Sequence, residues 1–349
     1  MEFISFAFRR PLSNVLPMSE PAPEKPPRRP RYSGKNPRRF SEKYKEHQPG
    51  QYAEDVAKIL ASGKTPAGMH RPILLREILE ILAPKPGDFV VDGTLGYGGH
   101  AQEILAAIQP GGRLLGLDVD PLELPKTEAR LRALGFGPDT FTAHRRNYAG
   151  LPKILPEPAD AILADLGLSS MQIDNPARGF TYKHEGPLDL RMNPERGQPA
   201  SALLATLDEN RLANLLVENA DEPNAVPLAR AILRSPIGST TQLAKIVRAG
   251  GGDDATVRRV FQALRIAVND ESSALDTFLR QLPLCLKPGG RVAILSFHSG
   301  EDRRVKKAFQ AGARDGTYRH ISPDIIRPTA EEMRANSRAS SAKLRWAER

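Results

Sequence analysis

Two rhythms of apolar residues divide this chain. From His70 onward the run PILLREILEIL places apolar residues at helical spacing and stops at the turn signal APKPGD. FVVDG then reads as a buried strand, followed by a glycine loop and by AQEILAAI as a helix. The alternation continues with GGRLLGLDVD as a second strand, PKTEARLRAL as a helix, DTFTAH as a third strand and ADAILADLG as a fourth. Far downstream, ESSALDTFLRQLPLCL, KPGG and RVAILSFHS repeat the sequence of helix, turn and strand. Strands alternating with helices predict an α/β fold with a doubly wound parallel sheet, whose ligands bind at the carboxyl ends of the strands. Those ends are acidic and polar here: Asp92, Asp118, Asp165 and the stretch Ser296 to Ser299.

Between the fourth strand and the helix at Glu271 the texture changes. A polar loop rich in Gly and Pro, MQIDNPARGFTYKHEGPLDLRMNPERGQPA, leads into DENRLANLLVEN, AVPLARAILRS, TTQLAKIVRAG and ATVRRVFQALRIAVND, all with helical periodicity. This pattern predicts a helical subdomain, residues 175–265, inserted into a sheet domain formed by residues 66–174 and 266–349. In its last helix Val257, Phe261, Leu264 and Val268 share one face, while Arg258, Arg259, Gln262 and Arg265 line another. That basic stripe is either a solvated face or a nucleic-acid contact.

Composition changes the picture mainly at the amino terminus. Residues 1–50 carry 11 Lys/Arg against 5 Asp/Glu, so most of the net charge of +9 lies there, and they hold nine prolines. Residues 1–65 are expected to be a disordered basic tail, because such a segment buries too little apolar surface to offset its chain entropy. Met18 offers a second candidate start. With the rest of the chain only mildly basic, a polyanionic partner has to be gripped by local patches. The single cysteine, Cys285, lies in an apolar run, which excludes a disulfide framework or a Cys-based zinc site, and the seven histidines form no ligand-spaced pairs, so no metal is expected. No apolar run approaches the roughly 20 residues of a membrane span, so a cytoplasmic protein without a membrane partner is the expectation.

The stretch VVDGTLGYGGH carries the chemistry. Gly96 to Ala101 fits G-x-G-x-x-G/A, and Asp118 follows at the distance of a ribose-binding acid in dinucleotide folds. No Gly-Lys-Ser/Thr follows, which excludes a P-loop. Asp92 discriminates further: an acid beside the helix N-terminus repels a pyrophosphate but suits S-adenosylmethionine, which has a sulfonium and an ammonium and no phosphate. Asp118 would accept both ribose hydroxyls, glycines 93, 96, 98 and 99 would admit the methionine portion, and Tyr148 would lie against the adenine. The plainer readings are an Asp that caps a helix, a Tyr that packs the core and glycines that shape a turn. Two rival functions stay open. A nicotinamide-dependent oxidoreductase explains the loop and Asp118 but not Asp92; a non-catalytic ribosome-assembly factor that binds RNA explains the basic tail but not the acids.

The motifs HRPILLREIL, DGTLGYGGH, LDVDP, ADLGLSS, Gly179-Phe180, GPLDLRM, FQALRIAVNDE, KPGGRVAILSFHSGEDR and SRASSAKLR together resemble the ribosomal RNA small-subunit methyltransferase H family, also called MraW, over roughly residues 66–349. The resemblance implies a class I (Rossmann-like) methyltransferase sheet with a helical RNA-recognition insertion. It also implies methylation of the exocyclic N4 of one cytidine in the decoding region of 16S ribosomal RNA, with S-adenosylmethionine as donor and the small ribosomal subunit as partner; monomer and homodimer both stay open. The family's donor contacts fall on Gly98, Gly99, His100, Asp118, Tyr148, Asp165 and Gln172, beside Asp92 from the charge argument. Met171 stands where relatives have Pro, Gly300 where they have Leu, ADEPNAVPLARAI departs from the family's turn, and the tail before His70 has no counterpart in the family core.

A cytosine N4 lone pair is delocalised into the ring and attacks weakly unless an acceptor localises it in line with the methyl group. Asp165 is the expected catalytic residue, polarising an N–H and accepting the proton. His298 is either a proton relay or a structural hydrogen-bonding group, and Ser169 and Ser170 either bind the base edge or shape the loop. A base reached outside its stack calls for phosphate contacts and a stacking pocket. Candidates are Arg178, Phe180, Tyr182 and Arg191, then Arg303, Arg304, Lys306 and Lys307, and the basic carboxyl-terminal stretch NSRASSAKLR.

Overall fold

A computed structural model describes residues 72–349; the expected disordered tail, residues 1–65, lies outside the described residues. The first helix, α1 (Leu75–Leu82), turns Ile78 and Leu82 inward. The alternation then runs β1 (Phe89–Asp92), α2 (Gly99–Ala107), β2 (Arg113–Asp118), α3 (Leu124–Ala133), β3 (Phe141–Arg145) and β4 (Ala159–Asp165), as the apolar pattern predicts. A short α4 (Ser170–Asp174) opens the passage to five helices, α5 (Ala200–Thr206), α6 (Glu209–Ala220), α7 (Ala225–Ile232), α8 (Thr240–Ala249) and α9 (Asp254–Asn269). The chain returns through α10 (Glu271–Cys285) to β5 (Leu286–Ser296), α11 (Ser299–Arg314), β6 (His320–Ile321), α12 (Ala330–Ala335) and β7 (Lys343–Glu348).

The strands form one sheet in the order β3-β2-β1-β4-β5-β7-β6. The pairs from β3 to β5 are parallel, and β7 runs antiparallel to both β5 and β6. Strand order reverses direction at β1, so the crevice between β1 and β4 at the carboxyl end is the topological switch point where such sheets bind ligands. Both faces are covered at the centre, which is why β1, β2 and β4 read as apolar runs. Side-chain alternation sends Val90, Leu114, Leu163 and Leu295 into a core with α1 and α2, and Val91, Leu115, Ile162 and Ile294 into a core with α10 and α11.

The helices α5 to α9 close on a third core, built from Leu212, Leu216, Leu228, Leu243, Val260 and Leu264 with neighbours. Their starts follow side-chain capping: Asp208, Ser239 and Asp253 each accept a backbone N–H of the first helical turn. Two features were not anticipated, α5 and the course of KPGG, and the last insertion helix, expected to include Val268, crosses the expected insertion boundary. Helix α5 has too short a periodic stretch to stand out. The last insertion helix runs through residue 265, the expected boundary, to Asn269, and only a left-handed Asp270 (φ 51) separates it from α10. KPGG is not a free turn: the pairing of β5 with β4 jumps from Leu286 opposite Ala159 to Arg291 opposite Ala161, so the turn bulges out within one strand. Among the described residues no helix is long and apolar enough to cross a membrane.

Candidate active site

Register in the sheet brings the acids together. Asp92 stands opposite Gly116 and Leu163, Asp118 opposite Arg145 and Asp165 opposite Leu295, so three strands end in a carboxylate at the same edge. Above that edge lies a cleft of about 1170 Å³. One wall is the glycine loop with Asp118, Tyr148 and the segment Asp165 to Gln172; the other is the insertion, with Phe180, Tyr182, Leu190, Met192 and Phe261.

The glycine loop owes its shape to the lack of side chains at two positions. Gly98 has φ 74, a left-handed conformation, and a Cβ on Gly99 would lie 2.7 Å from Pro72 Cγ. The loop is tied down by its neighbours: the Gly96 N–H donates to Asp118 Oδ2 at 2.8 Å, and the Thr127 hydroxyl donates to the Gly96 carbonyl at 2.6 Å. Asp118 also accepts the Asp120 N–H on Oδ1, so its carboxylate is fixed by one backbone bond on each oxygen while still facing the cleft.

Thr94 couples the other two acids. Its N–H donates to Asp92 Oδ1, and its hydroxyl accepts the Asp165 N–H at 2.6 Å. Burial drives the Asp92 carboxyl up to about 7, with Asp118 adding to the rise, and drives Asp165 up to about 8, with Asp92 and Glu301 adding. Burial likewise raises Asp118. His100 does not relieve this. Its Nε2 meets the Ile73 carbonyl at 3.0 Å and must therefore carry the proton, its Nδ1 stands 3.7 Å from Asp165 Oδ2, and burial lowers its pKa to about 4, leaving the ring neutral. A cluster of acids at a cleft without a paired cation is suited to a cationic ligand.

A family model described as the MraW methylase family matches residues 67–349. The chain belongs to the MraW methylase family. It is 51% identical over 341 residues to the ribosomal RNA small subunit methyltransferase H 2 of Alkaliphilus metalliredigens, covering 93% of this chain and 98% of that relative. The corresponding protein 1 of Lachnoclostridium phytofermentans is 48% identical, covering 92% of each chain, and that of Thermomicrobium roseum is 41% identical, covering 80% of this chain and 93% of the relative. The tail has no counterpart in the family model, which starts at residue 67, but a match covering 93% of the chain necessarily takes in part of residues 1–65.

Within this member of the MraW methylase family the expected site residues fall into two groups. Gly98, Gly99, His100, Asp118, Tyr148, Asp165 and Gln172 all line the cleft. Asp92 does not: it is 2% exposed and lies behind the lining, joined to it by the Thr94 N–H. Tyr148 shows the core packing of its plainer reading, edge-on against Phe278 with ring centroids 5.1 Å apart, and it also borders the cleft. Gln172 has its amide engaged at both ends, accepting the Ser169 N–H and donating to Asp120 Oδ2, so it holds the loop in place. Ser169 caps α4 reciprocally with Gln172, the loop-shaping alternative. His298 takes its structural reading: it caps α11, and its Nε2 lies 3.2 Å from Glu301 Oε1. Against burial, which alone would raise it, that contact holds the Glu301 carboxyl low.

Most of the expected nucleic-acid cations are already paired. Arg178 is buried, donating to Asp120 Oδ2 at 2.7 Å and to the Met192 carbonyl at 2.8 Å. Arg191 binds Asp189, Arg303 lies beside Asp221, Arg304 beside Asp276, Arg338 beside Asp174, and Arg345 in β7 holds Asp302. On the basic stripe of α9, Arg259 is tied to buried Glu222 and Arg265 makes a two-pronged contact with Glu271, while Arg258 stays exposed. Sequence reasoning missed two positioning groups. Asp120, fully buried, accepts bonds from Leu122, Gln172 and Arg178 and so joins β2, α4 and the start of the insertion. Asn269 accepts the Met192 N–H and donates to the Leu190 carbonyl, each at 2.7 Å, clamping a residue whose φ of 64 is strained for leucine. Both stood inside recognisable motifs, LDVDP and FQALRIAVNDE, but their partners lie far along the chain.

Proposed function

We propose that this chain methylates the exocyclic N4 of one cytidine in the decoding region of 16S ribosomal RNA, with Asp165 as the catalytic carboxylate. As a member of the MraW methylase family it is an S-adenosylmethionine-dependent methyltransferase of ribosomal RNA. The residues at the sheet edge fit that donor: the glycine loop leaves room for close backbone approach, Asp118 is oriented for a diol, and the acids are short of positive charge. Asp92, Gly98, Gly99, His100, Asp118, Tyr148 and Gln172 would hold or position it. When bound, S-adenosylmethionine supplies an electrophilic methyl group.

The observation that carries the proposal is the position of Asp165. Its side chain is 29% exposed in the cleft, and among the described residues its basic neighbour is a neutral His100. A carboxylate there accepts a hydrogen bond from an exocyclic amine, directs the nitrogen lone pair away from the ring and takes up the proton released as nitrogen becomes bonded to carbon. Its raised affinity for protons suits that duty. Phe180, Tyr182 and Phe261 would receive a base withdrawn from its stack, in keeping with residues 175–265 as an RNA-recognition insertion.

The test is incubation of the chain with tritiated S-adenosylmethionine and small ribosomal subunits from cells lacking it, followed by mapping of the labelled nucleotide. Label on a decoding-region cytidine N4 is expected; label on another base or ring position, or none, defeats the proposal.

A further inference from the structure

Cations around the cleft divide sharply by pairing. Arg145, Arg265, Arg304 and Arg338 line it with an acidic partner each. Arg146, Lys153, Arg196 and Arg258 line it exposed, and among the described residues none of them has an ion-pair partner. Two of these four each follow, in sequence, a partner of one ion pair across the cleft. Arg145 at the end of β3 bridges to Glu195 of the insertion loop, Nη1 to Oε2 at 2.7 Å, so the residues that follow each partner, Arg146 and Arg196, flank a strut joining the two walls at the cleft rim.

We infer that Arg146 and Arg196 form a phosphate grip for the single-stranded RNA on either side of the methylated nucleotide. The inference rests on the RNA reading above and specifies which cations execute it. Three observations converge. An arginine without a carboxylate keeps its planar donors free for a phosphate, whereas the paired arginines have theirs committed. The insertion wall is apolar and aromatic, fit for a base, so a backbone that delivers the base to it has to pass the rim. The strut itself neutralises Arg145 with Glu195, leaving net positive charge from its two neighbours where the strand would cross. Arg258, on α9, and Lys153, in the turn Tyr148–Lys153, line the cleft as further exposed cations.

The experiment compares the parent chain with Arg146→Ala/Arg196→Ala and with a control, Arg234→Ala/Arg314→Ala, which removes two exposed arginines that do not line the cleft. Steady-state methylation of small ribosomal subunits is measured, along with RNA binding over a salt series and calorimetric titration with S-adenosylhomocysteine. For the rim variant the KM for subunits should rise roughly tenfold with kcat little changed. The slope of log affinity against log salt should flatten by roughly 1.4, as expected for two lost single-strand phosphate contacts. Binding of S-adenosylhomocysteine should match the parent, showing an intact fold. The inference is overturned if the parent methylates the subunits and the rim variant keeps its KM and salt slope, or if the control loses as much as the rim variant. A parent chain that labels no RNA removes the functional reading, and the grip with it.

Discussion

The two walls of the cleft face each other with opposite electrostatic treatment. At the sheet edge, carboxylates are gathered at three strand ends with only a neutral His100 as basic neighbour among the described residues, and burial pushes Asp92 and Asp165 well above the carboxylate range. On the insertion side nearly every buried charge is answered: Arg178 by Asp120, Arg259 by Glu222, Arg265 by Glu271. Charge left uncompensated marks where a ligand is to complete the site, and charge already compensated marks where the protein holds itself together. By that criterion Arg178 belongs to architecture, and Asp165 is the group we propose for the chemistry.

The largest effect should come from removing the acid proposed to meet the reacting amine. Asp165→Ala is expected to lower kcat roughly 10²- to 10⁴-fold while the protein still binds S-adenosylhomocysteine; near-parental turnover would shift the chemistry to another group. On the compensated side, Asp120→Ala leaves the Arg178 guanidinium buried without its partner, and the expected cost is about 3–5 kcal/mol of stability, seen as a lower midpoint in urea or thermal unfolding. A midpoint within error of the parent would show that Arg178 finds water, and the contrast between the walls would weaken.

Proton linkage sharpens the same contrast. The ordinary carboxyl value of 3.8 becomes about 7 for Asp92 and about 8 for Asp165 in the folded chain. The folded state thus keeps protons that the unfolded chain has lost, and the stability these groups contribute declines as pH rises from 3.8 towards 8. A cationic ligand has to displace such a proton, so affinity for S-adenosylmethionine should strengthen between about pH 6 and 8, by roughly tenfold per pH unit for one proton displaced. S-adenosylhomocysteine, without the sulfonium, should strengthen less. Calorimetry of both ligands across that range checks it, and equal slopes would remove the sulfonium from the argument. The smallest effect is expected at Asn269→Ala, which frees the Leu190 carbonyl and the Met192 N–H, costs about 1–3 kcal/mol and raises KM for RNA more than KM for the donor.

Much of the sheet was legible because its central strands β1, β2 and β4 are buried on both faces and end in acids, so that apolar runs and charge mark the same boundaries. The donor wall followed, since a glycine loop and the residues after each strand are contiguous in sequence. The insertion wall was harder to read. Pairing of Arg178 with Asp120, or of Arg259 with Glu222, is decided by helices that meet only in three dimensions, and a basic stripe looks the same along the chain whether it is free or engaged. β7 was also hidden: KLRWAE carries charge at both ends and reads as a basic tail until Arg345 is seen against Asp302. The depth of Asp92 was invisible for a related reason, as position at a strand end does not say which residue the next loop covers.

The left-handed Asp270 between α9 and α10 gives the insertion two unlike attachments to the sheet. On the way out the backbone wanders through the irregular stretch from Asn175 to Pro199, whereas on the way back it has a single residue of slack. The helical segment is accordingly a bracket welded at one end and tethered at the other. Grafting it onto a foreign scaffold would succeed only if the weld, with α10 behind it, travelled along.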